Sequence, residues 1–381
     1  MTIHTLQLGM EWFTEFPGGL NRVYAHLLFE LARQDVESLG LVAGSPDVKR
    51  LSGGLAAAFA PFDAPLMQRM RAIRAASTDW LAAHAGDGVI VSHFALNALP
   101  LLDRLGSRPF VVHFQGPWGD ESRIEGASAL SAGAKTVLER AVYRRANASI
   151  VLSSAFREIL VTRFGVRRES VHLIPGGVEM ARFDHATSRP ESRAILGWPA
   201  DRRIVLCVRR LVRRVGLDIL IDACVELKRT VPDVLVLIAG TGPLGSELQQ
   251  RISAHGLEDV VKLIGYVPDE QLPLAYRAAD LTVVPTIALE GFGLITVESL
   301  AAGTPCVVTP VDALSEIVAP LSPALVASSA TAGALATTIG DALTARIPLP
   351  SASECADYAR KHYDWPVIAS QVRKVYERVL Q

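Results

Sequence analysis

Apolar positions in this chain gather in short, nearly unbroken runs. Each run is followed by a longer stretch with the spacing of an amphipathic helix. The first half carries IHTLQLG (3–9), LGLVAG (39–44), GVIVSHF (88–94), PFVVHF (109–114), SIVLSS (149–154) and VHLIPGG (171–177). The second half carries RIVLCV (203–208), DVLVLIAG (233–240), VVKLIGY (260–266), LTVVPT (281–286) and PCVVTP (305–310). Runs so rich in valine and isoleucine, with so little polar alternation, predict strands buried on both faces. Strands alternating with helices then predict parallel sheets covered on either side, an α/β class.

The polar, proline-bearing segment DHATSRPES interrupts this alternation after Phe183. It reads as a linker and divides the chain into residues 1–186 and 187–365, each a doubly wound domain. Such sheets bind ligands at the carboxyl ends of their strands, so a shared cleft is expected there. The closing stretch WPVIASQVRKVYERVL places Val367, Ile368, Val372, Val375, Tyr376 and Val379 at amphipathic spacing. We expect this helix, 366–381, to return to the first domain; a place on the second suits the spacing equally.

With 381 residues, 50% hydrophobic and 20% charged, the chain is long enough for two cores and too apolar to be disordered. Lys and Arg number 38 against 39 Asp and Glu, so no basic excess points to a nucleic-acid partner. Cys207, Cys224, Cys306 and Cys355 are widely spaced and read as buried thiols of a reducing compartment. The opening MTIHTLQLGMEW lacks a basic region followed by an apolar core, so no signal peptide is expected. No apolar run has the length of a membrane span. The expectation is a cytoplasmic protein, with any membrane contact confined to the inner face.

Two acids stand out in LEGFGLITVESLAAGTPCVV: Glu290, ahead of a glycine-flanked aromatic, and Glu298, inside an apolar run. A helix is predicted from around Phe292–Leu294 to the Gly303-Thr-Pro stop. Free N–H groups at Phe292, Gly293 and Leu294 would favour an anion, a diphosphate above all. Glu298, more than a turn inside, could accept hydrogen bonds from a ribose diol. Spacing alone favours the plain reading, a solvated helix acid at Glu298 and an N-cap-region acid at Glu290, because two acids eight apart are common. Gly18 and Gly19 open another predicted helix, where backbone can approach a ligand. Arg209, Arg210, Arg213 and Arg214 follow the run 203–208 and suit a phosphate, or form a solvated basic turn. His113 is expected at the end of the strand in PFVVHF, and His93 at the end of the one in GVIVSHF. Gly240, Gly242 and Gly245 have G-x-G-x-x-G spacing, but follow a later strand of their domain and lack the acid a dinucleotide fingerprint needs. Neither a Walker A pattern, a G-x-S-x-G elbow nor an H-E-x-x-H metal motif occurs.

PGGLNRVYAHLLFELA (17–32), IPGGVEMARF (174–183), VRRLVRRVGLDILIDA (208–223), IAGTGPLGSEL (238–248), LIGYVPDEQLPLAYRAADLTVVPT (263–286) and EGFGLITVESLAAGTPCVV (290–308) occur in this order. Together they resemble the motifs of the retaining glycosyltransferases of family 4, and the last matches that family's E-x7-E signature. The resemblance covers nearly the whole chain. It implies the GT-B fold, two doubly wound Rossmann-like domains facing a central cleft. It implies a hexosyltransferase moving a sugar from a nucleotide-diphosphate sugar, UDP- or GDP-linked, to a hydroxyl acceptor with retained configuration. Polysaccharide, glycolipid and natural-product glycoside synthesis are the implied settings, with no cofactor and no metal. The resemblance assigns the leaving diphosphate to Arg210, to the backbone of Phe292, Gly293 and Leu294 and to Gly18 and Gly19. It assigns the ribose to Glu298, the sugar hydroxyls to Glu290 and the surroundings of the reacting carbon to His113, with Gly242 in the turn beside the donor pocket.

Two positions depart from that pattern. The family's lysine five positions after Arg210 is Val215 here, so Arg213 or Arg214 would have to supply the second charge. The glycine pair expected before Glu316 is replaced by the neighbourhood of Ala313 and Leu314. On the acceptor side, Trp118, Glu121 and Arg123 are expected from position. The segment 60–81 puts Phe62, Leu66, Met70 and Ile73 on one face, with Arg69, Arg71 and Arg74 elsewhere. A helix packed on the core is the expectation; a basic helix lying on an anionic membrane, serving a lipid-linked acceptor, is the alternative. The competing functions are a non-catalytic sugar-nucleotide-binding partner or sensor and a GT-B sugar-nucleotide epimerase.

Overall fold

The computed structural model describes residues 2–124, 126–184 and 187–381. Two compact units are present: one runs to Gly177 and includes Trp365–Gln381, the other is Val178–Asp364. The first is built on strands β1 (Ile3–Glu11), β2 (Val36–Ala43), β3 (Ala56–Ala60), β4 (Gly88–Ser92), β5 (Phe110–Phe114), β6 (Ala148–Val151) and β7 (Val171–Leu173). They form one parallel sheet in the order β3-β2-β1-β4-β5-β6-β7. The second unit holds β8 (Arg203–Val208), β9 (Val234–Ala239), β10 (Val261–Gly265), β11 (Leu281–Val284) and β12 (Cys306–Val308), parallel in the order β10-β9-β8-β11-β12. In each sheet the order reverses beside the first strand, between β1 and β4 and between β8 and β11. Connections leave in opposite directions there, and the carboxyl ends of those strands become the natural place for a ligand.

Each apolar run noted above contributes a strand. The additional strand, β3, has the sequence AAAFA and lacks the β-branched residues that mark a strand. In the first sheet, alternate residues feed two different cores. Leu6, Leu8, Ile90 and Val112 face one side; Ile3, Val89, Val91, Val111 and Ile150 face the other. The second face is covered by the helix Trp365–Val379 through Trp365, Ile368, Val372, Val375 and Tyr376. The C-terminal helix therefore packs in the first unit.

The segment read as a linker folds differently. Ser188 and Glu191 form a capping box for the helix Arg189–Leu196. From that helix Arg193 is buried, donating through Nε to the Ala278 carbonyl at 2.9 Å and through Nη2 to Asp280 at 2.6 Å. The polar letters thus encode a capped helix of the second unit, and the chain passes between units at Gly177–Val178 and Asp364–Trp365. His185 and Ala186, at the expected boundary, lie outside the described residues.

The stretch 60–81 also departs from its expected face. Its helices are Leu66–Ala76 and Thr78–Ala83, and of the four apolar residues only Ile73 is buried. Phe62 precedes the helix and rests against Phe16, with ring centroids 4.4 Å apart. Arg74 is tied to Asp103 by two bonds of 2.6 Å, whereas Arg71 stays exposed. Among the described residues, no helix is long and apolar enough to cross a membrane.

Candidate functional site

The most concentrated buried charge at a reversal point lies in the second unit. β8 ends at Val208, and the next residue is Arg209; β11, its neighbour, leads into the loop that carries Glu290. Both side chains are almost enclosed, 11% and 10% exposed, and Arg209 Nη2 meets Glu290 Oε2 at 2.5 Å. Thr286 completes a triangle: its Oγ1 accepts from Arg209 Nη2 at 2.9 Å and donates to Glu290 Oε2 at 3.0 Å. The loop backbone is held as well. The Glu290 N–H donates to Asp312 Oδ2 at 2.9 Å, and Arg214 Nη1 donates to the Leu289 carbonyl at 2.9 Å. Leu289 and Asp312 adopt φ of 52° and 45°, a region side-chain-bearing residues rarely occupy. Such strain persists only where surrounding contacts over-determine it. Burial raises the Asp312 carboxyl above its usual range, and the nearby Glu290 charge adds to the rise.

Beyond Glu290, Gly293 adopts φ 77° and begins the helix Leu294–Ala301. No side chain caps that helix, and its first turn holds no acid, so the positive end of its dipole is not neutralised. Leu314 lies where a side chain on Gly293 would go, its Cδ2 2.6 Å from an added Cβ. The replaced glycine pair is therefore filled volume: Ala313 and Leu314 are both buried. Phe292 is buried, with its ring 5.9 Å from that of Tyr363, and Leu294 is half-buried. Glu298 is buried on the same helix and accepts a hydrogen bond from Tyr276 Oη at 2.9 Å.

The arginine run divides by role. Arg210 is exposed, and its side chain has no hydrogen bond or ion pair among the described residues. Arg213 is exposed and pairs with Glu247 at 3.3 Å, Arg214 supports the Glu290 loop, and Val215 is core. The turn at Gly242 lies on this run, with Leu211 donating to the Thr241 carbonyl at 3.0 Å and accepting from the Leu244 N–H at 3.1 Å. Arg209, the buried member, is not distinguished by the sequence from its three neighbours. Only its place one residue past a strand end, opposite an acid, marks it. Asp312 gave no sequence signal beyond lying in the altered segment.

In the first unit Gly18 and Gly19 stand at the start of the helix Gly19–Ala32, which has no side-chain cap and no acid in its first turn. Nothing lies within 4 Å of a Cβ built on either glycine. His113 needs a correction. It is not the strand's last residue but sits inside β5, buried on the face that packs against the C-terminal helix. Its Nε2 is 3.1 Å from Tyr376 Oη, and its ring stacks on that of His93 at 4.2 Å. Burial pushes its pKa down to about 3, so the ring is neutral. A histidine committed to a helix behind the sheet is not presented to a ligand at the strand ends; Gln115, the first residue after β5, is partly exposed there. His93 is held likewise, by Gln7 Oε1 at 2.9 Å. Trp118 and Glu121 lie half-buried on the helix Trp118–Ile124, with Lys135 over the Trp118 ring at 4.6 Å, and Arg123 is exposed.

Comparison with known proteins places these two units. Residues 17–182 match the family described as Glycosyltransferase Family 4, and residues 188–362 match Glycosyl transferases group 1. The chain belongs to glycosyltransferase family 4.

This family 4 chain is 32% identical over 253 residues to a GDP-mannose-dependent alpha-(1-6)-phosphatidylinositol monomannoside mannosyltransferase of Mycolicibacterium smegmatis, a match covering 64% of this chain and 63% of that one. It is 32% identical over 179 residues to a mannosylfructose-phosphate synthase of Agrobacterium fabrum, covering 45% and 39%. The matched region thus spans from about two fifths to just under two thirds of these curated relatives. Among solved structures, Anabaena HepE in complex with UDP superposes with a TM-score of 0.79 at 20% identity, covering 99% of this chain and all of that one. Sucrose-phosphate synthase from Thermosynechococcus elongatus gives 0.78 at 23%, covering 100% and 99%. These likenesses establish a GT-B fold of two Rossmann-like domains. Among the described residues, no group of three or more His, Cys, Asp or Glu side chains is placed to hold a metal ion.

Proposed function

We propose that this family 4 protein is a retaining hexosyltransferase. It transfers a sugar from a UDP- or GDP-linked donor to a hydroxyl acceptor, without a metal or other cofactor. The observation that carries the reading is a carboxylate fixed by strained backbone three residues before an uncapped helix N-terminus, at the reversal point of the second sheet. The helix end and the unpaired Arg210 suit the developing charge of a leaving diphosphate, and Glu290 suits the hydroxyls of the sugar. Glu298 takes the ribose, sharing its carboxylate with Tyr276. No residue in this arrangement is needed as a dedicated base if the leaving phosphate itself takes the acceptor's proton. The acceptor is a hydroxyl compound; phosphatidylinositol-linked acceptors named among the relatives make a lipid-linked one a reasonable first assay.

Thermal unfolding against UDP, GDP, ADP and dTDP, with and without EDTA, tests the donor site. A nucleotide at a hundred times its dissociation constant should stabilise the native state by about 2.7 kcal/mol. The expected result is stabilisation by UDP or GDP, unchanged by EDTA and largely lost in Glu298→Ala. Release of that nucleoside diphosphate on adding acceptor, and retention of the anomeric configuration in the product by NMR, complete the assignment. Binding without release in any acceptor panel would instead favour the non-catalytic reading.

A further inference from the structure

The Arg209–Glu290 pair has an unusual shape for a structural salt bridge. Removing two charges from water is costly, and such a pair is repaid best when the guanidinium grips the carboxylate through two parallel bonds. Here the ion pair and the Thr286 hydrogen bond both fall on Oε2 of Glu290. Oε1 receives no hydrogen bond or ion pair among the described residues. Arg209 Nε is buried and also has no partner. The contact is therefore end-on, through one terminal nitrogen, and leaves half of the carboxylate uncommitted in a side chain that keeps 10% of its surface.

Everything else about Glu290 is already fixed. Its backbone is held on one side by Asp312 and on the other by Arg214 at the Leu289 carbonyl. The remaining freedom is rotation of the side chain, and that is what Arg209 and Thr286 remove. Arg209 is itself anchored: its N–H donates to the Ala239 carbonyl at 2.8 Å, and Gly240 is packed against its carbonyl.

We propose that Arg209 is a positioning residue for the transfer reaction. It grips Glu290 by Oε2 so that Oε1 points to the hydroxyls of the donor's pyranose ring. This rests on the reading of Glu290 given under Proposed function. Arg209 does not hold the diphosphate; that task stays with Arg210 and the helix end.

The test compares wild type, Arg209→Met, Arg209→Lys, Glu290→Gln and the Arg209→Met/Glu290→Gln double variant. Each is measured for steady-state transfer from the donor found in the nucleotide panel and for affinity toward the free nucleoside diphosphate. Misplacing a catalytic group by about an ångström can cost a hundredfold in rate. Arg209→Met should lose about that much in kcat while nucleoside diphosphate affinity stays within about threefold. Arg209→Lys should recover part of the rate, because a cation again meets Oε2. The double variant should be no slower than Glu290→Gln alone, since the two residues act as one unit. It also covers the case in which Arg209→Met is poorly folded, because removing both buried charges is milder than stranding one. Nucleoside diphosphate affinity falling in step with rate in Arg209→Met would make Arg209 a phosphate ligand and overturn the proposal. So would wild-type kcat in Arg209→Met, or a double variant much slower than Glu290→Gln. A wild-type protein that turns over no sugar nucleotide overturns the function and this proposal together; turnover with kcat unmoved in Arg209→Met overturns the proposal alone.

Discussion

Two of the glycines singled out in the sequence do different physical work. Gly240 has φ 137°, and a Cβ built on it would lie 1.9 Å from the Arg209 carbonyl oxygen. Alanine there must both adopt a disfavoured backbone conformation and push away the segment carrying Arg209. Each effect is worth about 1–3 kcal/mol. Gly240→Ala should therefore lower the urea midpoint by an amount corresponding to about 2–6 kcal/mol, and reduce transfer through the displaced arginine. Gly19 is the opposite case. It is the first residue of its helix, and nothing lies within 4 Å of an added Cβ. Gly19→Ala should leave stability within about 0.5 kcal/mol, so any loss of activity measured alongside it would report on the ligand and not on the fold. An unchanged rate in Gly19→Ala would remove that glycine from the site.

At the scale of elements, much was legible because burial on both faces leaves an unmistakable run of apolar letters. β4, β5 and β9 are buried at every position. What could not be read lay where a short code has two meanings. AAAFA is a strand only because its neighbour β2 pairs with it. SRPES, the end of DHATSRPES, is polar because it caps and charges a helix, and no rule of composition separates that from a linker. Within the site, Glu290 and Glu298 were visible through their spacing and the glycines around them. Arg209 was hidden among equals, and His113 was misplaced by one residue, which decides which face of the sheet its ring serves. The real partner of His113 is the C-terminal helix. On this face the strands turn polar toward their carboxyl ends, with Gln7, His93 and His113 buried together, and Tyr376 covers them. Gln7 Nε2 donates to Tyr376 Oη at 3.3 Å. Tyr376→Phe keeps the ring and strands these polar groups, a change that costs about 1–3 kcal/mol when the partners are buried. Chemical denaturation should show that loss; a neutral result would mean the hydroxyl contributes nothing to docking the helix.

For the whole molecule, the two units carry different sensitivities. His93, His113 and the half-buried His172 of β7 all belong to the first unit, and burial lowers the pKa of each. His93 is lowered further by its stacked neighbour, and His113 falls to about 3. In the unfolded chain a histidine titrates near 6.5. Its folded pKa being lower, the unfolded state binds more protons as the pH drops below that value. The stabilisation is thus fully present above about pH 6.5 and is lost as pH falls toward the folded values. Each buried histidine can contribute up to about 1.4 kcal/mol per pH unit, so the His93–His113 pair could remove as much as about 4 kcal/mol by pH 5. Exposed carboxylates lowered by arginine, such as Asp103 and Glu158, lose their stabilisation only around and below about pH 4. Asp312, raised by burial in the second unit, works in the other direction and gains as pH falls. Each unit has its own core, so calorimetry should resolve two transitions. Acidification from pH 7 to 5 should lower the transition of the first unit, while the nucleoside diphosphate should raise that of the second. Replacing His93 and His113 together by glutamine should flatten the acid response of the first transition even if its starting midpoint is lower. An acid response of unchanged slope in that double variant would show that the buried histidines are not its source.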